Sequence, residues 1–289
     1  MRAPLRAFAV PLSLALAAVA CVAPPAPGGA AEPSMQVPAG TAGPGPLPAG
    51  WPAAEVLLIG EQHDAAEHQR LAAKVVERLA TQGRLVAVVL EMTERGRSTT
   101  PLRHGADEAQ MRAALAWDER GWPWAAYGPI VAAAVRAGVP VLGANLARGT
   151  LREVMRDERL DTEVSDALRA RLLTDVRDGH CGLLPASQLP GMTRVQIARD
   201  RAMAGAVAAQ AEPGGVVMLV AGANHVDKTR GVPQHLRALA PGLRVHALGL
   251  TAGTPEDGVA AGFDEVWVTP ALQRPDPCEG LAERFAPAR

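Results

Sequence analysis

The sequence has few aromatic residues, few cysteines and almost no net charge. Aromatic residues make up 3% of the 289 residues, and 29 basic residues face 30 acidic residues, for a formal net charge of −1. Proteins that bind nucleic acid need an excess of basic residues to neutralise phosphates, so this balance argues against such a partner. The hydrophobic fraction of 48% is sufficient for a sizeable core and argues against a chain that is disordered throughout.

Long hydrophobic runs are also lacking, apart from one near the N-terminus. There, two arginines precede an apolar stretch over 7–19, and small residues lie directly before Cys21. This layout is typical of an export signal, and the stretch is shorter than the roughly 20 residues of a membrane span. We therefore predict a signal peptide over residues 1–20 and no permanent transmembrane helix.

The position of Cys21 resembles the lipobox of bacterial lipoproteins, in which this cysteine becomes the lipidated, palmitate-bearing N-terminus. Ala18 departs from the pattern, because Leu is usual there. Val22 in place of Asp favours the outer membrane, with the protein anchored by its lipid and facing the periplasm. The alternative is an ordinary secretory peptide and a soluble periplasmic or secreted protein.

Residues 21–50 are rich in proline and glycine and carry one charged residue, Glu32. This composition offers no periodic apolar face, so we predict a flexible linker there. The folded domain is expected over residues 51–289, without an internal repeat or a second domain.

Short apolar runs and helical patterns alternate along the folded part. The runs of strand length cover 55–60, 86–91, 139–144, 215–221, 244–250 and 265–269. The helical patterns cover 64–80, 130–137, 194–211 and 234–239. This alternation predicts one α/β domain with a largely parallel central sheet flanked by helices. The segments 106–124 and 151–190 are predicted to be helical insertions.

Polar residues follow several of the predicted strands. Ligand sites of open α/β sheets lie beyond the carboxyl ends of the strands, where this sequence places Glu61, His63, Glu91, Asn145, Asn224 and His225. A single histidine in such a place is more often structural than functional. Two histidines and two glutamates together favour a functional site, and we predict that these four side chains converge at one edge of the sheet.

Other polar residues leave a structural and a functional interpretation open. Asp64 and Glu67 have the spacing of a capping box at the start of a helix. His68 lies on the apolar stripe of that helix, where facing the site and packing in the core are equally good explanations. Asp200 lies beside Arg199 in a long helix, and a solvated ion and a pocket residue explain this pair equally well.

Four of the six Trp and Tyr residues lie within eleven positions of one another: Trp117, Trp122, Trp124 and Tyr127. As a structural element, this cluster would anchor an insertion to the sheet. As a functional element, it would supply the apolar wall that a flat ligand needs.

Cys181 and Cys278 remain if Cys21 is lipidated. Free thiols seldom persist in an oxidising compartment, so we predict a disulfide between them, with two buried free thiols as the alternative. The bond would close a loop of about 100 residues and contribute about 4–5 kcal/mol.

In their order and spacing, these motifs resemble those of the ChaN-like haem-binding lipoproteins, a family of the TIKI superfamily that also contains the erythromycin esterases. The matching segments are 57–64 with His68, 90–92, Trp124, 127–130, Asn145, Arg148, 180–182, Gln196, 199–200, Met203, 221–225 and 231–233. The resemblance covers about residues 51–278. Ala223 departs from it, because Gly or Asn is expected there.

The resemblance implies a haem-binding protein of bacterial iron or haem acquisition. It implies haem as the cofactor, a homodimer with the macrocycle between two protomers as a candidate assembly, and an outer-membrane haem receptor as a candidate partner. Tyr127 or a histidine would bind the iron, and arginine or histidine would bind the propionates. The candidate haem contacts are Tyr127, His68, His63, His225, Asn224, Asn145, Arg148 and Asp200.

A hydrolase is the second hypothesis, because a carboxylate-rich edge is more than haem requires. Hydrolytic relatives place their working groups at the positions of Glu61, His63, Glu91 and His225. Either histidine would activate water, directly or on a divalent metal, and the glutamates would orient it or accept protons. The candidate metal ligands are Glu61, His63 and His225, although the spacing lacks the helical H-E-x-x-H context that identifies zinc.

Overall fold

The computed structural model describes residues 53–255, 258–273, 276, 278 and 279. The predicted signal peptide over 1–20, the lipidation site at Cys21, the linker over 21–50 and the start of the domain at residue 51 lie outside the described residues. No helix within the described ranges is both long enough and apolar enough to cross a membrane.

A parallel sheet forms the centre of the described structure. Its six strands are β1 (Val56–Glu61), β2 (Leu85–Glu94), β3 (Val141–Asn145), β4 (Val216–Gly222), β5 (Val245–Ala252) and β6 (Glu265–Thr269). They lie in the order β3-β2-β4-β1-β5-β6, and every neighbouring pair is parallel. The predicted α/β domain with a largely parallel sheet is therefore confirmed.

Helices cover both faces of this sheet. They are α1 (Ala66–Thr81), α2 (Glu108–Ala114), α3 (Trp124–Arg136), α4 (Leu151–Val154), α5 (Asp166–Gly179), α6 (Leu189–Ala208), α7 (Ala223–Val226) and α8 (Val232–Leu239). Alternate strand residues point to opposite faces, so Ile59 packs in the core beneath α1 and α3. Its neighbour Leu58 packs beneath α6 and α8. Both faces are apolar, which explains why the strands read as continuous apolar runs.

Two local predictions about helix starts were wrong. Helix α1 is preceded by Ala65 as the N-cap, without a side-chain cap, so Asp64 and Glu67 do not form a capping box. Glu67 pairs with Arg70 one turn further on instead. Helix α3 begins at Trp124, six residues before the predicted start, and continues through Pro129. Pro129 is the sixth residue of this helix, where a proline removes a backbone hydrogen bond, so the helical pattern is interrupted in the sequence although the helix is continuous.

The predicted disulfide between Cys181 and Cys278 is present, with the two Cα atoms 5.7 Å apart. Cys181 lies two residues beyond the end of α5. The bond therefore ties the segment after β6 to the connection between α5 and α6.

Candidate functional site

The candidate site lies at the carboxyl edge of the three central strands. Glu61 is the last residue of β1, and Gly222 is the last residue of β4. Strand β2 continues beyond Glu91 to Glu94, but its pairing with β4 ends at Leu90. Because parallel strands end at the same edge, these positions face one another. The structure thus brings together all four side chains that were predicted to converge.

Glu61 is the centre of a buried cluster of hydrogen bonds. Its Oε1 accepts a hydrogen bond from the Tyr127 hydroxyl at 2.6 Å and lies 2.8 Å from His63 Nδ1. Its Oε2 accepts from Gln69 Nε2. A carboxylate that accepts from Nδ1–H sets the tautomer of the imidazole. His63 therefore presents Nε2 as its remaining nitrogen.

Asp200 and His225 form a second pair of the same kind. His225 Nδ1 lies 2.5 Å from Asp200 Oδ1. Asp200 is buried in α6, and His225 lies in α7, which follows β4 directly. His225 Nε2 then faces Glu91, 3.6 Å from its Oε1.

Glu91 lies between the two imidazoles. Its Oε2 accepts a hydrogen bond from the Gly222 N–H at 2.8 Å and lies 3.9 Å from His63 Nε2. The site therefore contains two carboxylate–imidazole pairs, each of which directs its Nε2 toward one oxygen of a third carboxylate. This is an arrangement that can accept, hold and return protons.

The pKa values of the cluster follow from burial and from mutual charge. Burial alone would raise the pKa of Glu91, but His225, His63 and the Gly222 N–H together lower it to about 2. Burial lowers the pKa of His63 and of His225, but the nearby carboxylates outweigh it and raise both pKa values. Burial and Glu61 raise the pKa of Tyr127. Glu91 is thus held as a carboxylate, and Tyr127 keeps its proton.

The aromatic cluster lines one side of the site. The Trp122 ring meets His63 edge-on, with ring centroids 4.8 Å apart, and lies 5.9 Å from the Tyr127 ring. Trp117 donates its Nε1–H to the Trp122 carbonyl at 2.8 Å. Trp124 and Tyr127 are buried, whereas Trp117 and Trp122 keep part of their surface exposed. The cluster therefore both anchors α3 and presents apolar rings beside His63.

Four further candidates lie around this centre in different roles. His68 is fully buried, with Nδ1 accepting from the Gln62 N–H at 3.0 Å and Nε2 lying 2.9 Å from Thr269 Oγ1. Asn145 donates from Nδ2 to the main-chain oxygen of Glu91 at 2.9 Å. The remaining two are Arg148, which is exposed and pairs with Asp118, and Asn224, which is half-buried in α7.

Gln69 was missed in the sequence, whereas Gly222 lay within a matching segment and Arg199 was left open between a solvated ion and a pocket residue. Gln69, near the start of α1, donates a hydrogen bond to Glu61. The two residues are eight positions apart, a spacing that no common motif marks. Gly222 leaves room for His63, since a Cβ at this position would lie 3.0 Å from His63 Nε2. The negative charges of Glu91 and Asp200 act on the pKa of Arg199. The sequence did not show this, because adjacent residues of a helix point in different directions.

The predicted metal ligands do not form a metal site. In the part of the chain that the structure describes, no group of three or more His, Cys, Asp or Glu side chains is arranged to hold a metal ion. The reason is local, because Glu61 is occupied by Tyr127, Gln69 and Nδ1 of His63. A divalent metal at Glu61, His63 and His225 is therefore unsupported.

Comparison with known proteins gives a family match. The sequence model of a family described as "Haem-binding uptake, Tiki superfamily, ChaN" matches residues 48–236. Among curated proteins, no significant match was found.

Two solved structures illustrate the structural likeness. One is described as cofacial haem binding to ChaN of Campylobacter jejuni. It superposes with a TM-score of 0.61 at 22% identity, over 75% of this chain and 88% of that chain. An identity this low shows a shared fold. The other is a mutant of the erythromycin esterase EreC in its open conformation, with a TM-score of 0.42, 16% identity, and coverage of 73% of this chain and 75% of that chain. That TM-score is too low to bear on function.

Proposed function

The chain belongs to the ChaN family of haem-binding uptake proteins in the Tiki superfamily, and from this membership we propose that it binds haem at the carboxyl edge of its sheet. One observation carries the choice of place. The imidazole of His63 is held at Nδ1 by Glu61, directs Nε2 into the site, and lies beside the half-buried ring of Trp122.

The residues at this edge fit the three parts of a haem. Iron is commonly bound by an imidazole whose other nitrogen is fixed by a hydrogen bond, and His63 meets this condition with a side chain that is 20% exposed. The macrocycle needs an apolar surface, which Trp117 and Trp122 offer. The propionates need cations, and Arg148, which is exposed, lies three residues beyond the carboxyl end of β3. When bound, haem would add an iron centre whose ligand and redox chemistry the chain itself lacks.

His63 is a better iron ligand in this structure than either Tyr127 or His68. The Tyr127 side chain is fully buried, and its hydroxyl donates to Glu61. His68 uses both ring nitrogens in contacts with Gln62 and Thr269. Binding iron through either residue would require these buried contacts to break, which costs free energy.

Titration of the purified domain with hemin tests the proposal. We expect a Soret shift for the wild type, for Tyr127→Phe and for His104→Ala, an exposed histidine outside the site. His63→Ala should bind at least tenfold more weakly. The proposal fails if the wild type gives no shift. If only Tyr127→Phe loses the band, the iron ligand is the phenol instead.

A hydrolase remains the second candidate because of one observation, the pairing of each imidazole with a carboxylate. A carboxylate that orients an imidazole makes it a general base, and Asp200 and His225 have the required contact. In this proposal His225 Nε2 takes a proton from a water molecule that attacks an ester or amide. Asp200→Asn should then abolish hydrolysis, whereas Asp161→Asn, whose carboxylate pairs with Arg194, should not.

We also propose that the protein is an exported lipoprotein that serves iron or haem acquisition. The support for export is the order of arginines, apolar residues and small residues before Cys21. Labelling cells with a palmitate analogue tests the anchor. The wild type should be labelled and Cys21→Ser should not, and an unlabelled wild type would favour the ordinary secretory peptide.

A further inference from the structure

Arg199, in helix α6, has a buried nitrogen without a partner. Its Nε is inaccessible to solvent and donates no hydrogen bond to any described residue. Arg169 shares this feature, but it pairs through another nitrogen with Asp166. Arg230 pairs with both Asp175 and Asp227. Arg199 has no such hydrogen bond or ion pair to any residue in the described ranges.

The two carboxylates whose charges act on the pKa of Arg199 already have other hydrogen-bond partners. Burial lowers the pKa of Arg199, and Glu91 and Asp200 act in the opposite direction. Glu91, however, accepts its hydrogen bond from the Gly222 N–H, and Asp200 is bound to His225. The guanidinium thus lies in the field of the site while its hydrogen-bond donors are unused by either carboxylate.

A guanidinium without a hydrogen-bond partner beside this site favours the binding of an anionic ligand. A buried polar group without a partner carries a desolvation cost, and the cost is larger for a charged group. Arginine keeps its charge at all ordinary pH values and has a planar array of donors that matches a carboxylate with two parallel hydrogen bonds. A carboxylate that entered the site would recover the free energy that this burial costs.

We propose that Arg199 binds a carboxylate group of the ligand at this edge of the sheet. The inference rests on the proposed haem function in that the propionates of haem are the expected source of this carboxylate. A carboxylate of another small molecule presents the same chemistry. Helix α6, which packs against β2 and β3, would then supply both the residue that orients His225 and the residue that recognises the anion.

The first experiment compares hemin with hemin dimethyl ester, in which both propionates are esterified. We expect the wild type to bind hemin roughly tenfold or more tightly than the ester, as for a charge-assisted hydrogen bond. Arg199→Gln should bind the two equally, and Arg199→Lys should keep part of the preference. Arg194→Gln is the matched control from the same helix, because Arg194 pairs with Asp161, and it should behave as the wild type does.

The second experiment uses benzoate as a carboxylate without haem and measures the midpoint of thermal unfolding. If benzoate stabilises the wild type but not Arg199→Gln, while hemin does not bind, the haem proposal fails and the carboxylate site stands. If hemin binds but the wild type does not distinguish it from the ester, and benzoate has no effect that depends on Arg199, the carboxylate site is refuted while the haem proposal stands. If neither hemin nor benzoate binds, both are refuted.

Discussion

His225 Nδ1 lies 2.5 Å from Asp200 Oδ1, although the two residues are 25 positions apart and belong to different helices. Glu61 and His63 repeat this relationship at 2.8 Å at the end of β1. Each pair fixes an imidazole so that its Nε2 faces one oxygen of Glu91. Haem binding and proton transfer both need an oriented imidazole, so this geometry is the shared basis of the two proposed functions.

Asp200→Asn should lower the pKa of His225. Asp200 is the strongest of the groups that raise this pKa against the effect of burial, and an amide carries no charge to replace it. Titration of the His225 ring signals by NMR would measure the change. Asp161→Asn is the control, since Asp161 pairs with Arg194 away from His225. An unchanged pKa in Asp200→Asn would contradict the pairing.

Glu91→Gln should alter the loss of stability in acid. The pKa of Glu91 is lowered from 4.5 to about 2 in the folded state, so its carboxylate stabilises the fold above pH 4.5. This contribution, on the order of a few kcal/mol, is lost as the pH falls from 4.5 toward 2.

Urea unfolding at several pH values between 5.5 and 2 would test this prediction. The free energy of unfolding of the wild type should fall steeply over this interval, and that of Glu91→Gln should start lower and fall less. Glu77→Gln, at an exposed carboxylate of α1, should follow the wild type. Parallel curves for the wild type and Glu91→Gln would show that Glu91 is not the residue responsible.

Gly222→Ala should weaken hemin binding. The new Cβ would lie 3.0 Å from His63 Nε2, so the imidazole would have to shift. The backbone of Gly222, with φ −56°, suits alanine, so the effect would come from crowding. Overpacking of this kind costs about 1–3 kcal/mol. Hemin affinity equal to that of the wild type would mean that His63 does not contact the haem.

Gly205→Ala provides the matched comparison. Gly205 lies in the interior of α6, and a Cβ there would meet nothing within 4 Å. Alanine in an exposed helix interior reduces the entropy of the unfolded chain, so Gly205→Ala should stabilise the protein by about 0.5–1 kcal/mol. Urea unfolding measures this gain, and hemin binding should stay unchanged.

Removal of the disulfide should destabilise the domain. The bond joins residues 97 positions apart, and loss of a native disulfide of this kind typically costs 2–5 kcal/mol, because the unfolded chain gains freedom. The double variant Cys181→Ser, Cys278→Ser should therefore unfold at lower urea concentration than the wild type. Treatment of the wild type with a reductant should reproduce the same loss, whereas the double variant should not respond to it.

Much of the fold was predictable from the sequence. The strand over Glu265–Thr269 was predicted at its exact bounds, because a short run of residues that favour strands lies between Asp264 and Pro270, which both disfavour them. The start of α3 was missed because Pro129 interrupts the pattern. The capping box at Asp64 was wrong because the chain turns one residue later, at Ala65. Such turns depend on contacts that spacing alone does not show.

The sequence by itself determined that polar residues lie at the carboxyl ends of the central strands. Because those strands are parallel, Glu61, His63, Glu91 and His225 come to one edge of the sheet. The tertiary structure decided how these side chains are paired. The contact of Asp200 with His225 and the unpartnered guanidinium of Arg199 depend on how α6 lies against the sheet. That placement follows from packing between segments far apart in the chain, and local periodicity contains no information about it.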